Sequence, residues 1–174
     1  MEPLSDEIAL RERVVSIFER MKFAGFDASV LELSAEAGSV TLEFQVSDSW
    51  ANPFGFLHGG IVATMLDSCL GMAGSIKSGG NLAMPLAEMK ISFVRPVMPG
   101  KVLGKGETVR LGKGLAFLEA TLLGASGDVL ARASATASPI PWPTGRARTH
   151  PSAPQKQAVP SRARVVAVAA WRGL

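Results

Sequence analysis

The spacing of apolar residues changes along the chain, and each change predicts a different element. Residues 6–21 carry apolar side chains at helical spacing between charged ones, which predicts an N-terminal amphipathic helix. From Val40 to Val46 apolar and polar residues alternate, as in a strand with one buried face. Residues 28–33 can pair with that strand across the turn signal at 36–39, so we expect an antiparallel hairpin.

A second helical pattern runs from Gly59 to about Ile76 and is apolar on almost every side. Such a helix is expected to be buried nearly all round. Thr64, Asp67 and Ser68 interrupt the pattern, which falls short of the roughly 20 apolar residues that a bilayer span needs. We therefore predict a central core helix and no membrane span.

Four strand patterns follow the long helix, separated by the turn signals MPGK, LGKG and ASGD. Short turns between successive strands favour antiparallel neighbours. The predicted order is therefore helix, two strands, long helix and four strands, which indicates an α+β domain with a curved antiparallel sheet wrapped around the central helix. The four strands are expected near residues 85–93, 101–111, 115–123 and 129–137.

The length of 174 residues favours one domain with a sizeable core. We assign residues 1–26 to the N-terminal helix, 27–138 to the α+β domain and 139–174 to a basic tail. The tail holds six of the eleven prolines, so we expect it to be irregular or disordered. A short amphipathic helix over 162–174 is the alternative.

Charge is distributed unevenly between the domain and the tail. Six basic residues and no acid follow residue 138, so the tail carries +6 and the rest of the chain +3 minus 6, or −3. The domain therefore lacks the basic surface of a nucleic-acid-binding protein. The acidic N-terminus does not resemble a signal peptide, so we expect a cytoplasmic protein. The single cysteine, Cys69, is expected to be a core residue.

Candidate chemistry is concentrated in the stretch NPFGFLHGG, residues 52–60. Gly59 and Gly60 at a helix start leave backbone N–H groups unpaired and open to approach, and such donors can stabilise an oxyanion. The alternative is that the glycines only permit a turn and close packing. His58 can act as an acid or base, orient the loop, or be purely structural.

Asp67 is the one carboxylate inside the apolar helix, where burial is costly unless the group is paired or functional. A structural hydrogen bond is the alternative. Seven residues separate it from Gly60, about 10 Å along a helix axis, so one reacting carbon cannot touch both. If both serve one site, two chains must pack their central helices antiparallel, which predicts a two-fold homodimer.

The pattern Asn52, His58-Gly59-Gly60 and Asp67, followed by Gly71 and SFVRPVMPG, resembles the hotdog-fold acyl-CoA thioesterases of the phenylacetic-acid-degradation (PaaI-like) and 4-hydroxybenzoyl-CoA thioesterase type. The resemblance spans roughly residues 44–137. It implies the hotdog fold, in which the sheet wraps the central helix, and it implies hydrolysis of an acyl-CoA thioester.

The resemblance also implies roles for individual residues. Asp67 would be the nucleophile or the base that activates water, and Gly60, supported by Gly59, would polarise the thioester carbonyl. His58 would hold the loop or bond the carbonyl side, and Asn52 would position water or substrate from the other subunit. Some relatives carry a serine where this chain has Leu86, so that contact is either missing here or supplied by Ser68 or Ser92.

Together with the resemblance, these residues predict a thioesterase acting on a small aryl- or medium-chain acyl-CoA as a homodimer, and the resemblance implies a dimer of dimers. Arg95 and Lys113 are candidates for contacts with CoA phosphates, and flexible apolar residues are expected to line the acyl site, namely Met65, Met72, Met84 and Leu86. No metal and no cofactor beyond the substrate's CoA are expected. The alternatives are a hotdog hydratase or dehydratase and an acyl-CoA-binding sensor without turnover.

Overall fold

The computed structural model describes residues 26–142, together with residues 8–10, 12, 13 and 16. These six N-terminal residues are all helical, as the sequence pattern predicts for their segment. The chain divides into a compact unit that ends at Trp142 and a second unit, Pro143–Leu174. The second unit, with the helix expected over 162–174, lies outside the described residues.

Six strands form one antiparallel sheet in the order β1-β2-β5-β6-β7-β4, and a 19-residue helix, α1 (Gly59–Lys77), packs against it. The predicted α+β architecture, an antiparallel sheet with a long central helix, is confirmed. A short 3-10 helix, Asp48–Trp50, precedes the loop that leads into α1. The strands are β1 (Phe26–Ser34), β2 (Ser39–Val46), β3 (Leu82–Ala83), β4 (Leu86–Phe93), β5 (Gly100–Leu111), β6 (Ala116–Leu123), β7 (Val129–Ala137) and β8 (Ile140–Pro141).

Alternation along the strands separates the face that contacts α1 from the outer face. On β2 every second side chain from Val40 to Val46 is buried, and on β7 the inward positions are all alanine. Two glycines of β5, Gly104 and Gly106, face Cys69 of α1. A Cβ on Gly106 would collide with the backbone carbonyl of Cys69, so this glycine lets the helix approach the sheet closely.

The core side of α1 is almost completely covered by the sheet. Eleven of its residues are buried: Val62, Met65, Leu66, Ser68, Cys69, Leu70, Met72, Ala73, Gly74, Ser75 and Ile76. By length and composition alone α1 could cross a membrane, but 61% of its most apolar window is buried inside the fold. The predicted core helix is therefore present.

One stripe of α1 differs from the expectation of burial on nearly all sides. Gly60, Thr64, Asp67 and Gly71 follow one another at intervals of four, three and four residues, so they lie on one helix face. Gly60 and Asp67 are exposed and the other two are half-buried. We call these four residues the open stripe, because no element among the described residues covers it fully.

The end of the domain also differs from the expected irregular tail. Residues 140–141 form β8, which pairs antiparallel with β3 through Leu82↔Pro141 and Ala83↔Ile140. The N–H group of Trp142 donates to the carbonyl oxygen of Asn81 (2.9 Å). A two-residue strand at an edge tolerates proline, so the proline-rich composition did not prevent pairing here.

Candidate active site

The loop before α1 is held by the side chain and backbone of Asn52. Its Oδ1 accepts hydrogen bonds from the N–H groups of Phe54 (2.9 Å) and Phe56 (3.3 Å), and its N–H donates to the carbonyl of Phe56 (2.6 Å). An isolated bridge between Ala51 and Leu57 closes the loop. Asn52 thus shapes the turn that brings the chain to the start of α1, while its Nδ2 group is not used in these bonds.

His58 is the N-cap residue of α1, but its side chain makes no capping hydrogen bond. Its backbone is anchored, because its N–H donates to the carbonyl of Trp50 (3.1 Å) and its own carbonyl accepts from Ile61 and Val62. The imidazole is exposed. The backbone of His58 is therefore fixed at the start of α1, while its imidazole makes no capping bond and faces solvent.

The N–H groups of Gly59 and Gly60 have no hydrogen-bond acceptor among the residues that the structure describes. Both glycines are exposed. A Cβ on Gly60 would meet no atom within 4 Å, and one on Gly59 would lie 3.5 Å from the ring of Phe93. The positive end of the helix dipole thus presents two unpaired donors to an open space, an arrangement that can bind a negatively charged oxygen.

Asp67 lies on the open stripe, one turn beyond Thr64. The expectation that its carboxylate is buried is wrong for the protomer, because the described chain covers that face of the helix only in part and leaves Asp67 exposed. Even so, partial burial among the neighbouring helix and strand atoms raises the pKa of Asp67 above its ordinary value. A carboxyl group with a raised pKa is a better base when ionised, which suits proton abstraction from water.

The two residues that follow Asp67, Ser68 and Cys69, are both buried. Ser68 donates its hydroxyl hydrogen to the carbonyl oxygen of Thr64 (2.9 Å), so this hydroxyl is committed to the helix. Cys69 is fully buried, as expected. Burial, and secondly the negative charge of Asp67, raise the pKa of the Cys69 thiol, so it is not an activated thiolate nucleophile.

The fold separates the residues proposed for substrate binding. Near the start of α1, the N–H group of Leu57 donates to the carbonyl oxygen of Val97, which lies just before β5. At the other end of the helix, Lys77 contacts Gly38 and donates to the carbonyl oxygen of Glu36 in the β1–β2 turn. Arg95 lies at the same end as the helix start, and Lys113, in the β5–β6 turn, lies toward the other end. The described structure therefore does not bring these two cations together.

Arg95 is already engaged within the protomer. Its guanidinium donates to the carbonyl oxygen of Val129 (2.8 Å) and is 4.0 Å from the carboxylate of Asp128. Leu86 begins β4 opposite Ala137 and is half-buried against the core. Of the four apolar residues expected at the acyl site, Met72 and Met84 line a pocket beside Asp67, whereas Met65 is completely buried in the core.

Three residues near the site were missed by the sequence analysis: Thr64, which completes the open stripe, and Ile140 and Trp142, which line the pocket beside Asp67. Thr64 carries the right spacing from Gly60 and Asp67, so a helical projection could have found it. The other two follow prolines in a segment without any period, which offers no strand signal.

Comparison with known proteins decides the family. The sequence model of the thioesterase superfamily matches residues 54–131, which include His58, both glycines of the helix start and Asp67. Mouse (Mus musculus) acyl-coenzyme A thioesterase 13 is 32% identical over 118 residues, covering 65% of this chain and 81% of the relative. The chain belongs to the thioesterase superfamily. The predicted class of thioester hydrolase is confirmed at the level of this family.

Solved structures show the same fold for this thioesterase superfamily member. A thioesterase family protein from Silicibacter pomeroyi matches with a TM-score of 0.67 and 27% identity, covering 76% of this chain and 99% of that one. A phenylacetic acid degradation-related protein from Ralstonia eutropha JMP134 matches with a TM-score of 0.60 and 25% identity, covering 64% and 83%. The resemblance predicted from the Asn52 to Asp67 pattern is confirmed.

Proposed function

We propose that the protein hydrolyses a small aryl- or medium-chain acyl-CoA thioester to the free acid and CoA. The observation that carries this proposal is the pair of unpaired N–H donors at Gly59 and Gly60, on the same helix as a carboxyl group with a raised pKa. The relatives named acyl-coenzyme A thioesterase support the substrate class. The apolar surroundings of Asp67 support an aryl or medium-chain acyl group.

The site is proposed to form between two copies of the chain. Gly60 and Asp67 are about 10 Å apart along α1, which is too far for both to act on one carbonyl. Two copies of α1 that pack antiparallel through their open stripes would place Asp67 of one copy at the helix start of the other. This two-fold arrangement creates two equivalent sites.

Exposed apolar side chains around the helix start support such an interface. Phe54 is 83% exposed, and Phe93, at the end of edge strand β4, is 57% exposed. Large apolar side chains grouped next to an uncovered helix face are typical of a surface that another protein chain covers. A dimer would bury them, and a dimer of dimers is the further assembly that the family resemblance implies.

In the proposed reaction the carbonyl oxygen of the thioester accepts hydrogen bonds from the N–H groups at the start of α1. The ionised carboxylate of Asp67 takes a proton from water, whose oxygen attacks the carbonyl carbon, or itself attacks that carbon first. The negative charge moves to the carbonyl oxygen, where the two donors stabilise it. The C–S bond then breaks and the CoA sulfur leaves as thiolate or thiol. When water attacks, the free acid forms directly. When the carboxylate attacks, the acyl group is left on Asp67 as an anhydride, which water then cleaves to release the acid and restore the carboxylate.

A thiol leaving group explains why the proposed reaction needs few catalytic side chains. Its pKa is near 8.5, so the sulfur needs little protonation as it departs. His58, exposed at the helix start, is proposed to hold the loop or to bond the carbonyl side, and Asn52 to position water or substrate through its free Nδ2 group. Arg95, Lys113 and Ser68 stay candidates for substrate contacts, and the cytoplasmic location stays a prediction.

The experiment is a free-thiol release assay with the full-length protein and a panel of straight-chain acyl-, phenylacetyl- and hydroxybenzoyl-CoA esters. Turnover of one class well above background is the expected result. If no ester releases thiol while an acyl-CoA binds tightly, the protein is a sensor rather than a hydrolase. If an enoyl or hydroxyacyl thioester is hydrated or dehydrated instead, the dehydratase alternative holds.

A further inference from the structure

An apolar pocket of about 300 Å³ begins at Asp67 and follows the second half of α1. The helix forms its floor, β3 and the residues after it form one side, and the end of the described chain forms another. Asp67 is the one charged residue among those that line it. The full lining is Asp67, Ser68, Gly71, Met72, Ser75, Ala83, Met84, Pro85, Ile140 and Trp142.

One side of this pocket exists only because β8 pairs with β3. The pairing of Ala83 with Ile140, and the hydrogen bond from the Trp142 N–H to Asn81, hold the segment against the domain. Ile140 is 43% exposed, so part of its apolar surface is not covered by other residues of the protomer. A ligand in the pocket would cover this surface.

The far end of the pocket is closed by methionine packing. The side chain of Met84 lies against Gly74, where an added Cβ would be 2.7 Å from its Cγ. At Gly71, one turn nearer to Asp67, an added Cβ would meet no atom within 4 Å. The open length from Asp67 to the level of Ser75 is about 12 Å at 1.5 Å per residue, which matches a medium-chain acyl group or an aryl group on a short linker.

The side chains that line the pocket favour binding of the acyl part of the substrate over binding of the CoA part. The phosphates of CoA need cations or backbone donors, and no Lys or Arg lines this pocket. An apolar acyl chain gains from burial among Met, Ile and Trp side chains. If the thioester carbonyl is attacked near Asp67, the chain attached to that carbonyl can extend directly into the pocket.

We propose that Ile140 and Trp142 of the β8 segment form the specificity-determining wall of the acyl pocket and set the length of acyl group that the enzyme accepts. This inference rests on the proposed thioesterase function. It assigns to residues 140–142 a role in substrate selection, although composition alone places them in the tail.

The test compares kcat/KM across straight-chain acyl-CoA esters from acetyl to palmitoyl, and phenylacetyl-CoA, for the wild type and two opposed variants. Trp142→Ala enlarges the pocket, so the preferred chain becomes longer and the ratio of long-chain to short-chain kcat/KM rises about 10-fold or more. Ala83→Leu, which lies outside the open stripe, narrows the pocket, so the preference shifts to shorter chains by a similar factor. Phe117→Ala, an exposed residue on the outer face of β6, is the matched control and keeps the wild-type profile.

Thermal unfolding of each variant is measured alongside. If Trp142→Ala does not fold, Ile140→Ala replaces it, since the Ile140 side chain is 43% exposed and its truncation should cost less stability. If kcat/KM depends on acyl chain length in the same way in the wild type and all variants, and thiol is still released, the inference is wrong but the proposed thioesterase function is retained. Weakened self-association with an unchanged profile also overturns it, because a second copy would then occupy the pocket. No release from any ester by the wild type overturns both.

Discussion

Gly60 and Asp67 lie on the same exposed face of α1, seven residues apart and about 10 Å along the helix axis. The N–H of Gly60 has no acceptor among the described residues, and the pKa of Asp67 is raised by partial burial. Neither group can reach the carbonyl bound by the other within one protomer. The active site that we propose therefore combines the helix start of one chain with the carboxylate of another.

Mixing two inactive variants tests this shared site. Gly60→Ala removes access to the donor and Asp67→Asn removes the base, so each protein alone should be nearly inactive. After subunits exchange freely, about half of the dimers are mixed, and one of the two sites in each mixed dimer is intact, so about a quarter of wild-type turnover returns. The measurement is thiol release before and after exchange.

The control for this experiment is a mixture of Gly60→Ala with itself after the same exchange treatment, which should gain nothing. Absence of any recovery in the mixed sample, with exchange shown by native mass spectrometry, would mean that each site lies within one chain.

Gly60→Ala alone separates the role of the glycine in catalysis from its role in the fold. An added Cβ meets nothing within 4 Å in the protomer, and alanine is the better helix former, so the variant should be at least as stable as the wild type. The methyl group should hinder approach of the thioester oxygen to the helix N–H, lowering kcat/KM about 10²-fold. Denaturant unfolding and thiol release on the same sample check both effects.

Full turnover in Gly60→Ala would contradict the assigned donor. A loss of turnover that accompanies lower stability would instead point to a structural glycine.

Asp67→Asn should increase the stability of the fold at neutral pH. Because the folded pKa of Asp67 is raised, the folded state holds a proton more tightly than the unfolded state, whose carboxyl titrates near 3.8. Between these two pKa values the free energy of unfolding falls as the pH rises, so the ionised group is a net cost to the fold at neutral pH. Asparagine removes that cost, and the gain should be small because the side chain is exposed.

The check is denaturant unfolding of both proteins at neutral pH and below pH 3.8, at one ionic strength. The variant should have the higher midpoint at neutral pH, and the difference should vanish at the acidic pH, where Asp67 is protonated in both states. An Asp67→Asn protein less stable than the wild type at neutral pH would show that the carboxylate is a structural hydrogen-bond acceptor.

The strands and the central helix could be predicted because burial on one side imposes a period. The alternation of apolar and polar residues predicted the bounds of β4 to β7 to within one residue. For example, the strands expected at 85–93 and 129–137 are Leu86–Phe93 and Val129–Ala137. The helix from Gly59 was predicted with equal success because its apolar spacing continues to its end at Lys77. Local patterns determine these elements, so the sequence alone is sufficient.

Other features depend on contacts that no local pattern encodes. Asp67 was expected to be buried because its neighbours Leu66 and Cys69 are apolar, but those side chains face the sheet while Asp67 points away from it. β8 has only two residues and no period, so its pairing with β3 was invisible. The ion pair of Arg95 with Asp128 joins distant segments and could not be read from composition.

Gly106→Ala tests the close approach of α1 to the sheet. The added Cβ would collide with the backbone carbonyl of Cys69, and a backbone atom cannot rotate away as a side chain can. We expect a loss of about 1–3 kcal/mol in the free energy of unfolding. The matched control is Gly114→Ala in the β5–β6 turn, where an added Cβ has open space and the loss should be under about 0.5 kcal/mol. Equal stability of the two variants would mean that the helix can shift away from the sheet at little cost.

The catalytic role of Asp67 is tested by the rate of thiol release by Asp67→Asn compared with the wild type, on the acyl-CoA ester that the wild type hydrolyses best. We expect kcat to fall about 10²- to 10⁴-fold, the usual contribution of a positioned base or nucleophile. The ester should still bind, since asparagine preserves the shape of the side chain. A variant that turns over at a rate near that of the wild type would contradict the assignment of Asp67 as the catalytic carboxylate.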